Sequence, residues 1–344
     1  MTNLRAAFDE VMKGRALNAA LAEHVIGEIL DDIVPDALVA GFLVALKLKG
    51  EAAGELTGGA RAMRRRARNL NLRDGEVLDT CGTGGDNAGT FNISTGAALV
   101  AASAGVEVAK HGNRAVSGRV GGADVLERLG VKIELDPAGL ARCLDQAHCC
   151  FIFAPAYHPV LARLAVLRRT LGIRTIFNLI APLSNPAHPR RQLIGVPEPK
   201  LLRPMAEALK SLGVAHGMVV HGNDGLDEIT LSASTSVAEV RGDGMREFQI
   251  TPEQFGLEAA SAASFLSADV RASAELLSRT LAGEPGAAQD VLALNAGAAI
   301  YIGGAAASLD DGVAVARSIL RSGRALRTLD LMRSASNAGA AVTR

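Results

Sequence analysis

The chain has 344 residues, and its 49% apolar fraction is enough to bury one large core or two modest ones. Its 36 basic and 36 acidic side chains cancel, which argues against a nucleic-acid binder and still leaves room for a local basic pocket. Four cysteines (Cys81, Cys143, Cys149 and Cys150) form no CxxC pair and no disulfide framework, and the seven histidines lack zinc-ligand spacing. The opening "MTNLRAAFDEVMKGR" is helical in pattern without the apolar core of a signal segment, and no apolar run reaches spanning length. A cytoplasmic protein that contacts neither membrane nor nucleic acid is the expectation.

From Leu4 to Arg68 the pattern predicts helices. Leu21, Val25, Ile29 and Ile33 recur at helical spacing, and Pro35 suits the first turn of a further helix through Leu38, Phe42 and Leu46. The basic run "RAMRRRARNLNLR" reads as a solvated helix end followed by a linker. At Glu76 the texture changes. The β-prone segments "EVLDTC", "GVEVAKH", "VKIEL", "CCFIFA", "GMVVHG" and "EITLS" alternate with Ala- and Leu-rich helical ones, which predicts a mostly parallel sheet covered by helices. Pro159 to Thr175 is helical again. From Ser264 onwards three helices are expected, with "DVLALNAGAAIYIGGAA" apolar enough to be buried. The fold class is therefore α/β, with a small all-helical N-terminal domain over residues 1–73. Segment 159–190 is expected to pack onto that domain, and 74–158 with 191–344 to form the larger α/β domain.

Two constellations carry chemistry. The first is "DTCGTGGDNAGTFNIST", Asp79 to Thr95. It is not a P-loop, because Thr90 follows Gly89 where a lysine would stand, and it is not the dinucleotide fingerprint, because Asn87 takes the third glycine position. Its glycines can adopt positive φ and leave amides unshielded, and a helix starting near Thr95 adds its positive end. A plain structural turn has the same composition. Asn92, Ser94 and Thr95, however, are more capping residues than one helix end requires. The second constellation is "AKHGNRAVSGRVGGADVLERLG", Ala109 to Gly130, where Lys110 is the only lysine between Lys49 and Lys132. A compact ammonium at the end of a strand suits a point contact with phosphate, or a solvated basic turn.

These residues, together with "GFLVALKLKGE", "GIRTIFNL", "PLSNP", "GLDEI" and "LNAGAAIYIGG", resemble in order and spacing the motifs of the anthranilate phosphoribosyltransferase family. The resemblance implies a nucleoside phosphorylase/phosphoribosyltransferase-like fold. It also implies transfer of phosphoribosyl from 5-phosphoribosyl 1-pyrophosphate (PRPP) to the amine of anthranilate, releasing pyrophosphate, in tryptophan biosynthesis. It implies that PRPP is lined by Gly82, Gly85, Asp86, Thr90, Asn92, Ile93, Ser94 and Thr95, by Lys110, His111, Gly112, Asn113, Arg114, Ala115, Val116, Ser117 and Gly118, and by Gly122. Anthranilate would meet Gly82, Asn113, His158 and Pro182, with Arg168 pairing its carboxylate. Mg²⁺ would be held by Ser94, Asp227 and Glu228, and the helical domain would form a homodimer. No general acid or base is assigned; Lys110 acts electrostatically. The chain departs from the family pattern at Gly118, Val120 and Gly122, where serine is usual, and at Asn87 and Ala181, where glycine is usual. A pyrimidine nucleoside phosphorylase-like enzyme and a non-catalytic nucleic-acid-binding relative are the alternatives.

Overall fold

The computed structural model describes residues 3–86, 88–115 and 120–338. The chain opens with four helices: α1 (Asn3–Met12), α2 (Ala19–Leu30), α3 (Asp36–Lys49) and α4 (Ala53–Arg66). Asn18 caps α2 by accepting the Leu21 N–H at 2.9 Å. Pro35 sits at the cap position, one residue before the helical turn it was expected to occupy, with ψ of 138°. Helices α2 and α4 approach closely because Gly58 has no Cβ; one placed there would overlap the Ala19 carbonyl. Buried Glu55 ties this corner together. Its carboxylate accepts the Leu17 N–H at 2.9 Å, the Ala52 N–H at 2.7 Å and the Lys49 ammonium at 3.0 Å. The basic run at the end of α4 is only partly solvated, which corrects the sequence expectation: Arg64 donates to the Leu183 carbonyl at 2.8 Å and Arg66 pairs with Asp31.

The remainder builds one seven-stranded sheet. In chain order the elements are β1 (Leu78–Thr80), α5 (Ile93–Ser103), β2 (Val108–Gly112), α6 (Gly122–Arg128), α7 (Pro137–Ala147), β3 (Cys149–Phe153) and α8 (Ala154–Tyr157). Then follow α9 (Leu164–Leu171), α10 (Ile176–Leu183), β4 (Arg191–Gly195), α11 (Leu202–Ser211), β5 (His216–Gly222), β6 (Thr235–Arg241) and β7 (Gly244–Ile250). Four helices close the chain: α12 (Val270–Leu281), α13 (Ala287–Ile302), α14 (Leu309–Arg321) and α15 (Arg324–Asn337). The strand order is β3-β2-β1-β4-β5-β6-β7, parallel from β3 to β5 and antiparallel beyond. The chain order reverses between β1 and β4, and in open α/β sheets that crevice, at the carboxyl ends of the strands, is where ligands sit.

Side chains alternate across the sheet with the period of two that a strand imposes. Leu193, Met218, Val220 and Val237 pack with α5 and the buried α13 on one face. Ile194, Val219, Ala238 and Val240 pack on the other face, in one apolar cluster with α1 to α4, α10 and α11. Leu164 and Ile176 to Leu183 join that second cluster, so the segment between β3 and β4 leaves the sheet and covers the helical region.

Several local expectations are corrected. "VKIEL" (131–135) forms no strand; it runs extended, burying Val131 and Ile133 without a backbone partner from the sheet. "EITLS" (228–232) forms none either, because Asn295 of α13 intercepts it. The Asn295 amide accepts the Ile229 N–H at 2.9 Å and donates to the Ile229 carbonyl at 2.8 Å. In their place stand β4 and the hairpin of β6 and β7, joined by Gly242–Asp243 with Gly242 at φ 55°. Four helices rather than three end the chain, since Gly323 at φ 69° breaks the last helical stretch into α14 and α15.

Candidate active site

The crevice at the carboxyl ends of β1, β4 and β5 gathers the predicted residues from three stretches of chain. The loop after β1 carries Gly82, Gly84 and Gly85, the last two at φ 68° and 90°. The Gly84 N–H donates to Asp227 Oδ2 at 2.7 Å, and a Cβ on Gly82 would come within 2.5 Å of the same oxygen. Glycine is therefore required at 82 by close approach and at 84 and 85 by backbone angle. Asp227 reaches this loop because Gly195, ending β4, has no side chain. A Cβ there would overlap the Asp227 carbonyl.

Helix α5 presents its N-terminus to the same crevice. Asn92 takes the cap, accepting the Thr95 N–H at 3.1 Å. The other two hydroxyls have other duties: Ser94 Oγ accepts from the Lys110 ammonium at 3.2 Å, while Thr95 Oγ1 is buried with no partner among the described residues. An orphaned buried hydroxyl is uncommon and marks a place where an additional acceptor or donor fits. Gly122, opening α6, lies against it; a Cβ there would stand 3.1 Å from Thr95 Oγ1. Ile93 anchors the helix start in the core, and Thr90 bridges to Leu266.

Lys110 is buried under the loops instead of reaching out of the crevice. Its ammonium donates to the Thr80 carbonyl and to Ser94, so it acts on the crevice through Ser94. Asp79 lies beneath it. This carboxylate accepts the His111 N–H at 3.0 Å and the Asn185 amide at 2.9 Å, and burial pushes its pKa up to about 6 against the pull of Lys110.

The acidic side of the crevice is crowded. Burial first, then the neighbouring Asp86, pushes the Asp227 carboxyl up to about 7. Glu228 is raised well above the ordinary carboxylate range by burial and by Asp227, while Lys110 and the Ser94 N–H oppose the shift. Carboxylates held together at such cost fit a hard divalent cation that prefers oxygen ligands. Among the described residues no group of three or more His, Cys, Asp or Glu side chains is arranged to hold a metal by itself. A hard cation here would complete its shell with further oxygens, from water, backbone, hydroxyl groups or a bound phosphate.

The second face is apolar and nitrogen-rich. His111 and His158 meet edge to face, ring centroids 5.2 Å apart. Both are buried; among the described residues His158 has neither ring nitrogen paired, and His111 Nε2 has no partner. Burial lowers His111 well below its ordinary pKa and His158 to about 4, so both rings are neutral at pH 7. Pro182 lies inside α10, its carbonyl accepting from Gln192 at 3.0 Å. The Arg168 guanidinium lies 5.9 Å over the Phe177 ring and is lowered by burial.

The loop after β2 divides. Gly112 must be glycine because a Cβ would meet the Phe151 ring at 2.7 Å. Asn113 is exposed, and Arg114 is turned toward α6, paired with Asp124 and Glu127 rather than with the crevice. Asp124 accepts the Ala115 and Gly121 N–H groups at 3.0 and 3.2 Å. Val116, Ser117 and Gly118 lie outside the described residues, as does Asn87. Sequence reasoning missed Asp79, Asp124, Asn185, Gly195 and Asn295. Of these only Asn295 carried a local signal, as an amide inside the apolar run "LALNAGAAI".

Two family models match the chain: the glycosyl transferase family helical bundle domain over residues 5–67 and the a/b domain of the same family over residues 74–326. Anthranilate phosphoribosyltransferase of Rubrobacter xylanophilus is 48% identical over 328 residues, covering 95% of this chain and 96% of its own length. That of Clostridium kluyveri is 45% identical over 94% of this chain and 96% of its own. Among solved structures, the anthranilate phosphoribosyltransferase of Thermus thermophilus superposes with a TM-score of 0.91 at 42% identity, over 98% of this chain and 100% of that one. The Saccharomyces cerevisiae enzyme in complex with PRPP and Mg gives 0.87 at 25% identity, over 97% of this chain and 98% of that one. The similarity runs along nearly the whole length in sequence and in fold, and the chain belongs to the anthranilate phosphoribosyltransferase family.

Proposed function

We propose that the crevice binds PRPP across the glycine loop and the N-terminus of α5, with anthranilate entering past His158 and Arg168. The reaction is transfer of the phosphoribosyl group from PRPP to the amine of anthranilate, forming a C1–N bond, breaking the C1–O bond to pyrophosphate and releasing the amine proton. The observation that carries the assignment of roles is the hydrogen bond from the Gly84 N–H to Asp227, which joins the bare backbone to the acidic pair.

Breaking the bond at C1 builds positive charge on the sugar and negative charge on the diphosphate, as in other glycosidic cleavages. The chain answers the negative charge with the loop amides not already donated to Asp227 or to the Gly195 carbonyl, the positive end of α5 and the buried Lys110 behind Ser94. Asp227, Glu228 and Ser94 would hold Mg²⁺, whose chemistry is to neutralise the departing diphosphate. An aromatic amine is already uncharged at neutral pH, so no base is needed to make it nucleophilic. The neutral, buried His111 and His158 make an apolar wall suited to an aromatic ring, and Arg168 offers a planar fork to its carboxylate. What remains for the protein is placement.

Mixing the protein with PRPP, Mg²⁺ and anthranilate and following the loss of anthranilate fluorescence tests this reading. Turnover that disappears without Mg²⁺ is the expected result; no turnover, with thymidine cleaved by phosphate instead, would assign the phosphorylase chemistry. Among the described residues no helix is long and apolar enough to cross a membrane. A cytoplasmic enzyme without lipid or nucleic-acid partners is the reading that the balanced charge favours. A homodimer through the helical region completes the proposal, supported by Ile33, Leu48 and Val166, which are 61%, 83% and 68% exposed there. Light scattering on the purified protein decides between dimer and monomer.

A further inference from the structure

The peptide group between Thr83 and Gly84 is gripped at both of its polar ends. Its N–H donates to Asp227 at 2.7 Å, and its carbonyl accepts from Arg174 Nη2 at 2.9 Å. Arg174 comes from the short connection between α9 and α10, just past Gly172, which ends α9 at φ 63°. From there the guanidinium lies along the glycine loop. Its Nη1 stands 3.8 Å from where a Cβ of Gly84 would be, and a Cβ on Gly85 would overlap the guanidinium itself. Gly85 is therefore constrained twice, by its φ of 90° and by the arginine that fills its side-chain space.

The charge of Arg174 is also unspent. Burial lowers its pKa, while the charges of Asp227, Asp86, Glu198 and Glu51 oppose that shift from a distance. Among the described residues its one hydrogen bond goes to a backbone carbonyl, and none goes to a carboxylate. A half-buried guanidinium without an ion-pair partner, laid against an anion-binding loop, is costly unless its position matters.

We propose that Arg174 is a positioning residue: it clamps the Thr83–Gly84 peptide from the edge opposite Asp227 and holds the glycine loop in the shape that receives the diphosphate end of the substrate. A free peptide group followed by two positive-φ glycines, Gly84 and Gly85, could rotate and turn its carbonyl toward an incoming anion. With one end on a carboxylate and the other on a guanidinium, that rotation breaks two charge-assisted bonds at once. The clamp also joins the α9–α10 connection, which packs on the helical region, to the loop that follows β1.

This inference rests on the function proposed above, and the test separates the two. Mg²⁺–pyrophosphate is titrated calorimetrically into wild type, Arg174→Ala and Arg174→Lys, and steady-state constants are measured for both substrates. Arg174→Ala is expected to weaken pyrophosphate binding and raise the KM for PRPP about tenfold, the size of one lost charged hydrogen bond. Its KM for anthranilate should stay within twofold and its melting temperature should match wild type. Arg174→Lys, which keeps the charge and loses the fork, should recover part of the loss, and guanidinium ion added to Arg174→Ala should recover more. Unchanged pyrophosphate affinity in a folded Arg174→Ala overturns the clamp, as does an equal loss for both substrates accompanied by a lower melting temperature. Should Arg174→Ala fail to fold, Arg174→Lys with the same readouts carries the decision. If wild type itself neither turns over nor binds Mg²⁺–pyrophosphate, the proposed function falls first, independently of any Arg174 variant.

Discussion

Strand β5 has a buried carboxylate site beside each of its ends, and the two are opposites. At its start, Glu239 of β6 is fully satisfied. His216 lies 2.8 Å away, the Tyr301 hydroxyl donates at 2.9 Å and Arg246 pairs at 2.6 Å. Those bonds overcome burial and hold Glu239 down at about 2. Past its carboxyl end, Asp227 and Glu228 are crowded by Asp86, and burial wins, pushing both upward. The same side-chain chemistry thus makes a structural tie at one end and an unfinished site at the other. A buried carboxylate with its partners present stabilises a fold; one whose partners are missing reserves the place for a ligand.

The largest effect that sharpens this contrast comes from Gly195→Ala. The added methyl displaces the Asp227 backbone, and a shift of roughly 1 Å at a site of this kind costs about 10²-fold in rate. Activity loss with the helical region still folded by circular dichroism is the expected outcome; near-normal turnover would mean the position of Asp227 is unimportant. Glu228→Gln comes next, raising the Mg²⁺ needed for half-maximal activity by about tenfold or more. Thermal stability without Mg²⁺ should not fall, because an uncompensated carboxylate has been removed.

Glu239→Gln should do the reverse. Removing the charge from a buried, hydrogen-bonded pair costs about 3 kcal/mol of stability, measurable by urea unfolding, while KM values stay near wild type. A catalytic defect at constant stability would break the comparison. The acid limit tests the same tie. The Glu239 pKa is depressed from its ordinary 4.5 to about 2 in the folded state, so its contribution is full above pH 4.5 and is lost as the pH falls from there toward 2. The unfolding free energy of wild type should therefore fall more steeply than that of Glu239→Gln across that window, and parallel curves would deny the tie its role.

What the sequence made legible follows the same division. The glycine loop and the α5 caps announced themselves because their constraints are local: positive φ and helix ends leave compositional traces. The acidic doublet was picked out only by the family resemblance, since two adjacent charges after a turn read as readily as a solvated pair. The parallel strands β1, β2, β3 and β5 were legible as short apolar runs. Strand β4 was not, because Arg191 and Gln192 dilute it, although Gln192 is buried against the Pro182 carbonyl. The hairpin of β6 and β7 was hidden by polar side chains on its exposed face. Arg174, Gly195 and Asn185 were invisible as site residues for a shared reason. Each acts on a partner distant in the chain: 91 positions separate Arg174 from Thr83, and 106 separate Asn185 from Asp79. No local pattern encodes such a meeting.

Asn295 has a consequence for the life of the chain. The segment directly after Glu228 is fastened by a helix that lies 66 positions later, through both polar groups of Ile229. As the polypeptide leaves the ribosome, the strands can begin to pair and the helical region can close well before that helix emerges. The segment that carries Asp227 and Glu228 lacks this tie until that helix has emerged and packed, so a chain halted before Asn295 would hold both carboxylates in sequence without their fixed place in the fold.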